Sequence, residues 1–126
     1  MAMKLGLEGQ SVTHKTVDYT VSLNTNAGFE IRIETNFSLR TPEGDFDLSP
    51  ESSDMQAERL QSLLHQTVTS SVADESGALS LGFSDGSRLH VDPNDSYEAW
   101  TVAGPGGMKV VSMPGGELAV WPPENG

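Results

Sequence analysis

The sequence predicts an α+β fold: a mainly antiparallel sheet of seven to eight strands, curled on itself or split into two layers, with one α-helix. Three observations carry this. Apolar and polar residues alternate with a period of two over long runs, the signature of strands with one buried face. Turn-forming residues recur roughly every ten residues through the C-terminal half, the spacing of a meander. Only one segment has apolar residues at helical spacing.

The elements follow in chain order. Val17, Tyr19, Val21 and Leu23 alternate with Asp18, Thr20, Ser22 and Asn24. Asn24 to Gly28 is a run of turn formers. Phe29, Ile31, Ile33, Thr35, Phe37 and Leu39 then alternate with polar residues up to Arg40, so the two runs read as one long hairpin with a solvated face. Residues 41–49 read as a loop, broken by Pro42 and Gly44. Ser49-Pro50 supplies a helix N-cap with proline at the first helical position, and Ser53 with Gln56 a competing capping box. Ala57, Leu60, Leu63 and Leu64 form the apolar stripe of a helix ending near His65 or Gln66.

Strands are expected at 67–73, 78–83, 88–91, 97–103, 108–113 and 117–121. Asp85-Gly86 marks a tight hairpin. Gly104 to Gly107 and Gly115-Gly116 read as turns, because no helix and no Lys-Ser/Thr pair follows to make a phosphate cradle. One helix cannot cover so many strands, so the sheet must close on itself or pair with a second layer. The whole reads as a single β-rich domain over 1–126, with 122–126 a flexible tail.

Charge narrows the partners. With 18 acidic and 7 basic residues the chain carries a formal charge of −11. Nucleic acid and anionic membranes are disfavoured as direct ligands, since phosphates would be repelled. There is no cysteine, no apolar run of signal-peptide length and no stretch long enough to span a bilayer, which points to a cytoplasmic protein.

No enzyme signature stands out. His14, His65 and His90 lack metal-motif spacing and read as surface or half-buried residues. Gly82-Phe83-Ser84-Asp85-Gly86 spells G-x-S-x-G, but it lies at the turn between two expected strands and not at the strand-to-helix turn of a nucleophile elbow. Asp45-Phe46-Asp47 with Glu51 and Asp54 lacks the glycine and terminal glutamate of a calcium loop. No cofactor, metal or catalytic residue is assigned. Trp100 reads as core; Trp121, at a strand end beside Pro122-Pro123, is the better partner anchor.

The acids are unevenly placed. Glu43, Asp45, Asp47, Glu51, Asp54 and Glu58 lie in one stretch without an intervening base. They form either a solubilising face or, with Trp121, the docking surface for a basic protein. The rival class is a small-molecule-binding β module with a pocket lined by Phe83, Tyr97 and Trp100. Exposed sheet edges also permit a homodimer.

The blocks Phe83-Ser84-Asp85-Gly86-Ser87-Arg88-Leu89, Tyr97-Glu98-Ala99-Trp100 and Pro114-Gly115-Gly116-Glu117-Leu118-Ala119-Val120-Trp121 resemble a family of small, uncharacterised bacterial proteins found largely in actinobacteria. Leu5-Gly6-Leu7-Glu8-Gly9 and Asp18-Tyr19 fit as well. Similar blocks occur in proteins that look like immunity partners of secreted bacterial toxins. The resemblance implies a non-enzymatic, toxin-neutralising role, with a toxin domain as the basic partner.

Overall fold

The computed structural model describes residues 2–50 and 59–123. Twelve strands are formed among them: β1 (Met3–Lys4), β2 (Val12–Asp18), β3 (Thr20–Thr25), β4 (Glu30–Ile33), β5 (Phe37–Thr41), β6 (Gly44–Leu48), β7 (Val68–Ala73), β8 (Leu79–Phe83), β9 (Arg88–Val91), β10 (Trp100–Ala103), β11 (Lys109–Ser112) and β12 (Leu118–Trp121). They make two six-stranded sheets, ordered β1-β7-β8-β9-β5-β6 and β12-β11-β10-β4-β3-β2, with every pairing antiparallel. Inner-face residues of both sheets, among them Leu39, Leu79, Leu81 and Leu89 from the first and Val21, Leu23, Ile31 and Ile33 from the second, form one buried cluster. The described residues therefore form a two-layered β-sandwich with little helix among them, and the expected seven or eight strands become twelve.

The extra strands have identifiable causes. The alternation through Val17 and Val21 crosses a chain reversal: Tyr19 takes φ +60, Asp18 pairs with Thr20, and Tyr19 stands 86% exposed at the tip. The run from Phe29 to Leu39 leaves the second sheet after Ile33 and enters the first at Phe37. Alternation survives both events because it records which side chains face the core, not which sheet carries them. Residues 44–48, expected as loop, form edge strand β6, in which Leu48 is buried and Asp45 and Asp47 are exposed.

The helix expected from Pro50 onward falls mostly outside the described residues. Within them residues 59–61 are helical and 62–65 form turns, ending at His65 with φ +70. Leu60 and Leu63 are fully buried, as the apolar stripe requires. Pro105–Gly107 and Pro114–Gly116 add single 3-10 turns where hairpin turns were expected.

The sheets are locked together at the β7–β8 turn. The buried carbonyl of Gly77 accepts hydrogen bonds from the Trp100 indole Nε1 at 2.9 Å and the Ser112 hydroxyl at 2.8 Å. Both donors belong to the opposite sheet. Gly77 and Gly116 meet backbone to backbone: a Cβ on Gly77 would strike the Gly116 carbonyl, and one on Gly116 would strike the Ser76 carbonyl. Asp74 shapes the turn, its Oδ1 accepting from Ser76 N (2.9 Å), Ser76 Oγ (2.6 Å) and Ala78 N (3.1 Å).

Two outcomes follow. Trp100→Phe deletes one donor to a buried carbonyl, which should cost about 1–3 kcal/mol in urea unfolding, and the smaller ring adds a cavity cost to it. Gly116→Ala, at φ +94 and against Ser76, should cost more. The Asp74 carboxyl is held below the usual carboxylate range, first by the Ser76 hydroxyl and also by the Ala78 and Ser76 N–H groups and His90, with desolvation opposing. A folded pKa below the unfolded one stabilises the protein above the ordinary carboxylate pKa and is lost as pH falls through the folded value. The stability advantage of wild type over Asp74→Asn should thus be full at neutral pH and shrink below about pH 4, measured by urea unfolding across that range.

Candidate functional site

With the inner faces committed to the core, the polar chemistry of the first sheet lies on its outer face. Register places it in two transverse rows. Ser80 pairs with His90, His90 with Ser38 and Ser38 with Asp47. One step along, Gly82 pairs with Arg88, Arg88 with Arg40 and Arg40 with Asp45. A groove of about 410 Å³ runs over these rows, and a second of about 430 Å³ continues past Asp47 and His90 to Asp92. Position 82 admits only glycine, because the bulge between Val68 and Ser70 brings the Ser70 and Thr69 hydroxyls into the space a Cβ would fill.

His90 bridges the first row. Its Nε2 lies 2.9 Å from Asp92 Oδ1 and its Nδ1 3.2 Å from Ser80 Oγ. If the carboxylate takes the Nε2–H, Nδ1 accepts the Ser80 hydroxyl proton. Ser80 and His90 meet closely because they are a non-hydrogen-bonded pair, the type whose side chains approach most nearly. A Ser-His-Asp chain thus exists although no nucleophile elbow announces it. It lies flat on an internal part of the sheet, where backbone N–H groups are spent on the ladders and are not free to hold an oxyanion.

The second row is electrostatically uneven. Arg40 and Arg88 oppose each other directly, an unfavourable like-charge pair. Asp45 relieves one of them, its Oδ1 lying 3.1 Å from Arg40 Nε. Both side chains are well exposed, so that bridge is worth about 0–1 kcal/mol. Arg88 has no ion pair among the described residues, and its guanidinium is available to an incoming group.

The residues singled out from sequence divide. Glu43, Asp45 and Asp47 are exposed on the β5–β6 hairpin, at the free edge of the first sheet. Glu51, Asp54 and Glu58 lie outside the described residues. Trp121 is half exposed at the end of the opposite sheet, beside a groove of about 320 Å³ shared with Met3, Phe29 and Met108, and Lys109 Nζ stands 5.6 Å from its ring centroid. Glu43, Asp45 and Asp47 lie on one sheet and Trp121 on the other, so these four do not form one surface. The pocket expected from Phe83, Tyr97 and Trp100 does not form either: Trp100 and Phe83 are buried in the sandwich and Tyr97 is exposed. Among the described residues no three His, Asp or Glu side chains are placed to hold a metal. No helix among them is long and apolar enough to cross a membrane.

The sequence assigns no site role to Ser80, His90, Asp92, Arg40 or Arg88, and it reads His90 only as a surface or half-buried residue. A signal existed for part of the set. The Asp85-Gly86 turn fixes the β8–β9 register, and that register alone pairs Ser80 with His90.

No curated protein and no solved structure matches the chain. A family model does match, over residues 3–122, and the chain belongs to that family, described as a family of unknown function, DUF6188.

Proposed function

We propose that this is a non-enzymatic, cytoplasmic, immunity-type protein that binds a basic protein, a toxin domain, through the acidic edge of its first sheet. One observation carries the reading: the last strand of that sheet, β6, presents Asp45 and Asp47 to solvent, with Glu43 at the turn before it. Charge on an edge strand prevents random strand addition. The same row, fixed at strand spacing, offers a basic partner a defined pattern of carboxylates, and a field of this sign speeds encounter. The rest of those two rows, Ser38 and His90 in one and Arg40 and Arg88 in the other, supplies donors for orientation. A toxin that binds nucleic acid needs a positive cleft, which such a surface complements.

A small-molecule reading has its own support in the 410 Å³ outer groove, where Arg88, Ser38 and Ser80 converge. Its ligand would be a small anion, held by the free guanidinium.

The test combines Glu43→Lys, Asp45→Lys and Asp47→Lys with the product of the neighbouring gene, which this reading expects to be a toxin-like domain. Folding should be nearly unchanged, because all three side chains are solvated. The association rate should fall by about tenfold or more at low salt, and the loss should narrow as salt screens the charges. An unchanged rate would assign these acids to edge protection alone.

A further inference from the structure

Four strands end the two sheets, and three of them are blunted. β1 has two residues and carries Lys4. β6 exposes Asp45 and Asp47. β2 is bulged between Val12 and His14 and carries Lys15. β12 has none of these devices. It reads Leu118-Ala119-Val120-Trp121, without charge, bulge or internal proline, and Val120 and Trp121 are 46% and 50% exposed. Among the described residues nothing covers this apolar edge, and in a chain of charge −11 it calls for a strand to pair with it.

The ladder defines how that strand sits. Ala99 N donates to Ser112 O, so Ser112 bonds toward β10, whereas Met113 N donates to Glu117 O. By alternation Glu117, Ala119 and Trp121 spend their backbone groups on β11, and Leu118 and Val120 turn theirs outward. We propose that β12 pairs antiparallel with β12 of a second copy about a two-fold axis through Ala119, joining the two outer sheets into one of twelve strands. Leu118 then bonds with Val120 of the second copy, and the small Ala119 side chains meet at the axis. Pro122, which has no N–H, ends the ladder.

Charge favours a second copy over an unrelated strand. In this register Glu117 lies opposite Trp121 of the second copy, beside the Lys109 ammonium that covers that ring. The two-fold repeats the contact, so each Glu117 meets an opposite charge. The acidic hairpin lies on the other sheet and does not enter the interface.

Light scattering after size exclusion of the full chain, at tens of micromolar, should give twice the 13.5 kDa monomer mass. Val120→Pro removes only an outward N–H, at an edge position where proline is tolerated, and should give a folded monomer with an unchanged circular dichroism spectrum. Glu117→Lys and Lys109→Glu should each weaken association by about tenfold at low salt, and the double variant should recover it. The proposal is overturned by a wild-type monomer, by polydisperse aggregate, or by a dimer that both single reversals and Val120→Pro leave intact.

Discussion

The architecture depends on one buried carbonyl. Gly77 O sits at the turn of the β7–β8 hairpin and accepts from Trp100 and Ser112, which belong to strands of the opposite sheet. Hydrophobic contact alone lets two sheets slide, because apolar burial is non-directional. Two hydrogen bonds to one oxygen do not. They fix the turn of one sheet against β10 and β11 of the other, and each is strengthened by the dry surroundings. The glycines at 77 and 116 follow from this closeness, since the two turns approach to a distance no side chain fits. Asp74 belongs to the same unit: by ordering the turn it aims the carbonyl. The PGG turn at 114–116 is tied in from outside as well, through Gly115 N to Asn94 O.

That arrangement explains which parts of the fold the sequence discloses. Core alternation is readable because burial acts on every second residue wherever the strand lies. Hence Leu23, Ile31, Ile33, Phe37 and Leu39 were placed on the buried side correctly while the sheet switch between Ile33 and Phe37 was invisible. Leaving one sheet for the other changes the strand's neighbours without changing the side that faces inward. The reversal at Tyr19 was hidden for a related reason. Only one residue separates Asp18 from Thr20, so the pattern never paused long enough to show turn chemistry. β6 was missed because Pro42 and Gly44 signal a loop, and they do make the tight turn; the strand begins at the glycine itself.

The candidate site was legible in pieces only. Acid clustering is a property of chain order, so Glu43, Asp45 and Asp47 could be named. Their relation to Trp121 depends on strand order in three dimensions, and the structure places them on different sheets. The Ser80-His90-Asp92 chain depends on register, which the Asp85-Gly86 turn encodes locally. The Arg40-Arg88 juxtaposition needs β5 beside β9, a long-range pairing that no local pattern carries.

Charge and edge structure then fit a single physical scheme. A sandwich with filled inner faces has only outer faces and edges left for recognition. Here the edges differ in kind. The β6 edge is acidic and the β12 edge apolar, and they belong to different sheets. An apolar edge gains from dry, self-complementary pairing, while an acidic row keeps its carboxylates hydrated until an opposite charge replaces the water. The two surfaces therefore select different partners without competing for the same residues. Covering β12 with a second copy would leave both acidic edges open, and a dimer would present the charged row twice.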